Sequence, residues 1–401
     1  MSTEEGKGRE GGELRESRSA PCRRVAAFVS PHGFGHAARA SAVLAALHRG
    51  WGYGVDLFTT VPRWFFDESI PGTYRYHEER VDVGFRQRSA LRIDLEATVE
   101  ELQDFLPFDP ARVERLASEV SDAGCEAVLC DIAPLGVAVA EQAGVPSMVL
   151  ENFTWGWLYE PYHLRAPELE GFGTYLDGWV EQASVHLQAR PACEPRSGLE
   201  EVPPVSREPR RTREAVRKEL GIVGDEPLTV ITMGGYGEEL SFLAHLQARA
   251  GERFLVTGAQ ATERRDNLIL FDNRTALFMP DLLRAADGVV AKLGYGMVAE
   301  TWREGIPFAH VTRPGFREMA ALEAFAAEEL VGFGMTADAF HEGAWIERLE
   351  ELREMRRRRR GPGGSERVAE VLAGLAAGAS HGRGGGSLAS DPPPDRPVDA
   401  T

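Results

Sequence analysis

The stretch SPHGFGHAARASAVLAAL (residues 30–47) decides the fold. It joins a short apolar run, RVAAFV, to a segment in which Ala40, Val43, Leu44 and Leu47 fall at i, i+3, i+4 and i+7, the spacing of one helix face. Val25 to Val29 therefore read as a first strand, Gly33 and Gly35 as the turn that leaves it, and the helix starts near His36. Strand, glycine turn and helix together open a βαβ unit, with the helix amides aimed past the carboxyl end of the strand, where they favour an anion. A structural turn has a use for the glycines but none for two imidazoles, His32 and His36.

The same design recurs in GVVAKLGYGMVAETWREGIPF (residues 288–308). Here Val289 and Val290 end a strand, and Gly294 and Gly296 allow close backbone approach. The helix runs from about Met297 to Gly305, just before Pro307. Glu300 falls in the first turn of that helix. Its carboxylate either complements the macrodipole or holds the ribose of a phosphate-anchored nucleotide.

Outward from these turns, β-rich runs alternate with helix-period segments: GVDLFTT, AVLCDIA and SMVLENF early, then LTVITMGG, RFLVTG and LILF. That rhythm means parallel sheets. It pauses over residues 190–213, RPACEPRSGLEEVPPVSREPRRTR, which is rich in proline and charge and reads as a linker. The expected division is a disordered tail at 1–22, a first Rossmann-like domain at 23–190, a linker at 191–213, a second Rossmann-like domain at 214–375, and a disordered tail at 376–401. A chain of 401 residues is long enough for two full cores.

A net charge of -17 argues against a nucleic-acid footprint. The run from Arg356 to Arg360 reads as a solvated helix C-terminus. Cys22, Cys125, Cys130 and Cys193 form no C-x-x-C pair, which points to reduced thiols in a cytoplasmic protein. No stretch reads as a signal peptide or a transmembrane span.

Asp131 closes the strand-like AVLC and emerges on the same rim as His36. A histidine backed by a carboxylate is the usual general base, and a helix N-terminus keeps the imidazole unprotonated. His32 is the competing candidate, and a locally hydrogen-bonded helix start is the plain structural alternative. A dinucleotide-binding turn would want an acidic residue closing the second strand; Asp56 lies inside GVDLFTT instead. A third turn, Gly234 and Gly235, is placed to close over phosphates. Arg317 and Glu318 precede a helix, where they either reach sugar hydroxyls or cap the surface, and the ring-rich NFTWGWLYEPY (residues 152–162), with Asn152 and Trp155, either suits a sugar or an apolar acceptor or forms a buried packing patch between domains.

Taken in order, PHGFGHAAR, CDIAP, NFTWGWLYEPY, MPDLLRAADGVVAKLGYGMVAETWREGIPF and FREMAALE resemble a GT-B type glycosyltransferase. The resemblance is greatest to the glycosyltransferase-like N-terminal domain of L-arabinokinases and related bacterial proteins, and weaker to the family of the peptidoglycan N-acetylglucosaminyltransferase. It implies an α/β chain of two Rossmann-like doubly wound domains facing across a cleft. A nucleotide-sugar donor, a UDP-sugar, is held by the second domain and a small-molecule or lipid acceptor by the first, with no metal and no cofactor. The chain also has no D-x-D pair.

Carried over, the diphosphate goes to Gly294, Tyr295, Gly296, Met297 and Val298 with Lys292, the ribose to Glu300, the base to Phe278 and Met279, and the sugar to Glu318. His36, backed by Asp131, deprotonates the acceptor in an inverting transfer. His32, Gly33, Gly35, Arg39, Asn152 and Trp155 line the acceptor side. One departure is that Arg317, Glu318 and Met319 stand where well-studied members carry Asp-Gln or a Gln-rich contact. The kinase activity of arabinokinases belongs to a separate C-terminal domain, and the residues after Leu375 are not expected to fold into one. A nucleotide-sugar 2-epimerase or hydrolase on the same fold would need further carboxylates around the sugar. A non-catalytic sugar-nucleotide binding module is the third reading. Peripheral membrane contact is compatible with a lipid acceptor, although no basic amphipathic helix announces it.

Overall fold

A computed structural model describes residues 23–89, 92–234, 241–272, 278–358 and 360–382. Strands β1 (Arg24–Val29), β2 (Gly54–Thr59) and β3 (Tyr74–Glu78) are followed by a small antiparallel ribbon, β4 (Gln87–Ser89) and β5 (Arg92–Ile93). Then come β6 (Cys125–Asp131), β7 (Ser147–Glu151), β8 (Val185–Ala189) and β9 (Glu200–Val202). Without the ribbon these form a parallel sheet in the order β3-β2-β1-β6-β7-β8-β9.

The second sheet is built from β10 (Leu228–Thr232), β11 (Arg253–Ala259), β12 (Glu263–Arg265), β13 (Leu268–Asp272), β14 (Gly288–Lys292), β15 (Phe308–Val311) and β16 (Gly332–Met335). Its order is β12-β13-β11-β10-β14-β15-β16, parallel except for β12.

Each sheet is covered on both faces, as parallel sheets require. Along β1, Val25, Ala27 and Val29 enter one buried cluster while Ala26 and Phe28 enter the other, the period-2 division of a strand between two cores. In the second sheet Leu228 and Val230 are likewise separated from Ile231.

The structure changes three of the sequence boundaries. Residues 191–213 are not all spacer, because β9 extends the first sheet and Val202 and Val205 join its core. The C-terminal helix Ser365–Gly382 does not belong with the second sheet: Val368, Ala369, Leu372, Ala373 and Ala376 pack into the first core beside the helix Phe34–Trp51. Helical structure also continues past residue 376, so the expected tail there is helical as far as Gly382; residues 1–22 and 383–401 lie outside the described residues.

The arginine run does not end a helix. The helix Leu349–Glu354 stops before it, and the chain then crosses the second half, Arg357 donating to the Ala286 carbonyl and Arg360 to the Glu329 carboxylate at 2.9 Å. Among the described residues no helix is long and apolar enough to cross a membrane.

Candidate active site

The first glycine turn is as tight as its sequence implies. Gly33 caps the helix at φ 96°, a left-handed value that favours glycine, and the helix begins at Phe34, two residues earlier than the periodicity predicts. His36 is thus the third helical residue. Strand register sets Val29 beside Asp131, so both chain ends open on the same rim, and His36 Nδ1 lies 3.0 Å from Asp131 Oδ1. An ionised carboxylate can only accept, so Nδ1 carries the proton and the basic lone pair is on Nε2.

One helical turn on, Arg39 grips the same carboxylate with two bonds, Nε to Oδ2 at 2.8 Å and Nη2 to Oδ1 at 2.7 Å, and its Nη1 donates to Asn152 Oδ1 at 2.6 Å. Burial works against the charge of Asp131, but the Arg39 guanidinium and the bonds from His36 and Arg39 outweigh it and hold the carboxyl below its usual range. Asp131 stays ionised beneath His36.

His32 lines the same cleft, but the Asp131 carboxylate backs His36 rather than His32. Its ring meets Trp155 edge-on at 5.4 Å between centroids, and Gly84 runs so close that a Cβ there would lie 2.7 Å from its Nδ1. Burial first, then the positive surroundings of His36, Arg313 and Lys292, push its proton affinity down to about 3. It stays neutral throughout the physiological range.

The second turn arrives from the other sheet. Lys292 ends β14, Gly294 caps the helix Tyr295–Glu304, and Gly305 terminates it in the left-handed conformation. The two turns touch: a Cβ on Gly296 would stand 3.3 Å from Gly35 Cα, and one on Gly35 would stand 3.6 Å from Gly296 N. Two helix N-termini therefore face one volume, each with the partial positive charge of its unpaired amides. The Tyr295 ring lies under the Arg39 guanidinium at 4.9 Å, and its hydroxyl accepts from Val205 N–H at 3.1 Å.

Around this junction is a cleft of about 650 Å³, the size of a small-molecule site. Of the residues singled out in the sequence, His32, Gly33, Gly35, His36, Arg39 and Asn152 line it from the first half. Gly234, Met279, Lys292, Gly294, Tyr295, Gly296, Met297, Glu300 and Glu318 line it from the second. Asp131 and Trp155 stand behind the wall, fully buried, and Val298 points into the second core. Gly235 lies outside the described residues.

Three placements differ from expectation. Glu300 is in the second turn of its helix, so the dipole does little for it; its partner is Arg207, whose Nε lies 2.9 Å from Oε1. Phe278 faces away from the main cleft and is covered by the guanidinium groups of Arg210 at 4.3 Å and Arg207 at 5.1 Å. Arg317 reaches across to the first half, where it donates to the Trp157 carbonyl, pairs with Glu160 at 2.6 Å and stacks on the Trp157 ring.

Sequence reasoning missed Arg207, Arg313 and Asp82. Arg207 sits in the segment read as a spacer, and the proline and charge of VPPVSREPRR gave no local sign of a cleft residue. Asp82 had none either. It lines the cleft at 2% exposure, accepting from Val83 N–H at 2.9 Å and Trp155 Nε1–H at 2.8 Å, and burial outweighs those bonds and the one from Ser30 to push it up to about 7.

No family model matches the chain. L-arabinokinase of Arabidopsis thaliana is 28% identical over 335 residues, covering 80% of this chain and 31% of that protein, so the chain spans about a third of that relative. A UDP-glucosyltransferase from Polygonum tinctorium capable of glucosylating indoxyl, solved in complex with 3,4-dichloroaniline, superposes with a TM-score of 0.57 at 15% identity over 90% of this chain and 100% of its own. The calicheamicin glycosyltransferase CalG4 gives 0.54 at 16% identity over 90% and 98%, and the glycosyltransferase VinC, solved with dTDP, gives 0.53 at 14% identity over 90% and 98%. The fold is the GT-B fold of these glycosyltransferases.

Proposed function

We propose, from the glycosyltransferase fold as premise, that the chain moves a sugar from a nucleoside diphosphate donor, a UDP-sugar, to a hydroxyl acceptor with inversion. The observation that carries this reading is the contact of the two glycine turns at Gly35 and Gly296, which sets a carboxylate-backed histidine and two helix N-termini around one cleft.

In the proposed reaction His36 Nε2 takes the acceptor hydroxyl's proton as its oxygen bonds to the anomeric carbon. The bond from that carbon to the diphosphate oxygen breaks, and the electron pair leaves with the nucleoside diphosphate. Amides of the Tyr295–Glu304 helix and Lys292 meet the charge that develops there, so no divalent metal is called for. Asp131 holds the Nδ1–H tautomer and stabilises the imidazolium, while Arg39 tempers that gain by already sharing the carboxylate.

Val83, Phe85, Phe153 and Leu158 line the acceptor side together with Asp82, Arg80, Arg86 and Glu101, so apolar and charged groups share that wall. It suits a small molecule or a lipid that offers a hydroxyl beside an apolar body. Glu300 can still serve the ribose through Oε2, with Arg207 on its other oxygen.

Calorimetric titration with UDP, without added metal, tests the donor side, and micromolar binding is expected. Failure of the protein to bind any nucleoside diphosphate would remove the donor site. Product formation from UDP-sugars and a hydroxyl acceptor panel would separate the transferase from the binding module.

A further inference from the structure

Strands β14 and β15 are neighbours in the second sheet, with Lys292 in register beside Val311. The residue two positions beyond Val311 is Arg313, so the sheet delivers two cations to the same rim. Arg313 is 6% exposed and lines the cleft. Its guanidinium stacks on Phe316 at 4.3 Å and donates from Nη2 to Glu318 Oε1 at 2.7 Å. Among the described residues that is its one hydrogen-bond partner, and the buried Nε–H has none. A guanidinium has five donors, and leaving the buried Nε–H unused is costly unless a ligand takes it.

Two further observations locate the group that would take it. Arg313 and Lys292 line the cleft together with His32 and both glycine turns, and Lys292 Nζ lies 3.4 Å from where a Cβ on Gly234 would stand; their positive charge adds to the burial that lowers the proton affinity of His32. The helix N-termini that meet at Gly35 and Gly296 aim their amides at the same volume. Glu318, beside Arg313, counts against a carboxylate on the sugar, which it would repel. A phosphate between Arg313, Lys292 and the amides satisfies all of them, and the planar guanidinium fork matches its oxygens.

We infer that Arg313 is a binding residue for the terminal phosphate of the donor's nucleoside diphosphate, acting with Lys292. The inference rests on the nucleotide-sugar reading above and adds to it a cation that the glycine turns alone do not reveal. Arg313 then neutralises charge on the departing diphosphate, and the Glu318 pair holds the guanidinium in place.

The test is calorimetric titration of the full chain, wild type, Arg313→Ala and Arg313→Lys, with UDP and with UMP, each variant's melting temperature being recorded. Wild type should prefer UDP to UMP. In Arg313→Ala UDP should weaken by about 10- to 100-fold, the worth of a hydrogen bond to a charged group, while UMP changes by less than about threefold. The lysine variant should recover part of the loss. Should Arg313→Ala retain the full preference for UDP over UMP, or lose both ligands equally while still folded, the assignment is overturned. A loss seen only with UDP-glucuronate and not with UDP would also overturn it, by moving Arg313 to the sugar. If the alanine variant does not fold, the same comparison is read from Arg313→Lys, where an unchanged preference refutes the inference. Wild type that binds neither nucleotide would overturn the nucleotide-sugar reading itself, and this inference with it.

Discussion

Replacing Asp131 by asparagine should be the most damaging isosteric change in the first half. Asp131 is fully buried, and its oxygens accept from Arg39 at 2.7 and 2.8 Å and from His36 at 3.0 Å. The asparagine keeps the volume but strands the Arg39 guanidinium, which is 1% exposed, without a counter-charge. Breaking one side of a buried pair costs about 3–5 kcal/mol, whereas replacing both sides with apolar groups is often neutral. Asp131→Asn, Asp131→Leu and Arg39→Met should therefore each lower stability by about 3–5 kcal/mol, and Asp131→Leu/Arg39→Met should lose far less than the sum of its two single changes.

The assay is guanidinium denaturation followed by tryptophan fluorescence, with the coupling energy taken from the double-mutant cycle. Additive losses would refute the claim that Arg39 and Asp131 stabilise each other. The depressed proton affinity of Asp131 fixes the sign of its pH dependence: its contribution is present above the unfolded carboxyl value near 4 and is lost as pH falls below that.

Other outcomes follow from particular contacts. His36→Ala should lower turnover with a hydroxyl acceptor by about 100-fold or more and leave UDP affinity unchanged; unaltered turnover removes it from the chemistry. Gly296→Ala forces a Cβ to 3.3 Å from backbone at Gly35 and should cost about 1–3 kcal/mol, whereas Gly35→Ala meets only an ordinary 3.6 Å contact and should be tolerated, both read from melting temperature. Asp82 has a raised native value, about 7, so the unfolded chain loses that proton first and stability should fall as pH rises from about 4 to 7. Asp82→Asn should flatten this slope, worth up to about 4 kcal/mol, and a slope that survives the substitution refutes the assignment.

The parts of the site that were legible in the sequence are those fixed by one strand and its following turn. His36 and Asp131 both leave parallel strands at the carboxyl end, so topology alone puts them on one rim, and the glycine pairs mark where backbone comes close. Glu300 was legible as a cleft residue but its partner was not, because Arg207 lies in a segment whose proline and charge read as spacer. The helix Ser365–Gly382 carries an ordinary apolar stripe, and nothing local says which of two cores receives it. Arg317 shows the same limit: its position in sequence suits a donor loop, yet cation–π stacking on Trp157 draws it across the cleft.

The chain passes between the halves twice, and the two crossings run side by side. Gly364 N–H donates to the Pro204 carbonyl at 3.1 Å, and a Cβ on Gly364 would stand 2.3 Å from the Pro203 carbonyl oxygen. The two crossings are bonded to each other rather than spaced apart, so neither segment can shift without the other.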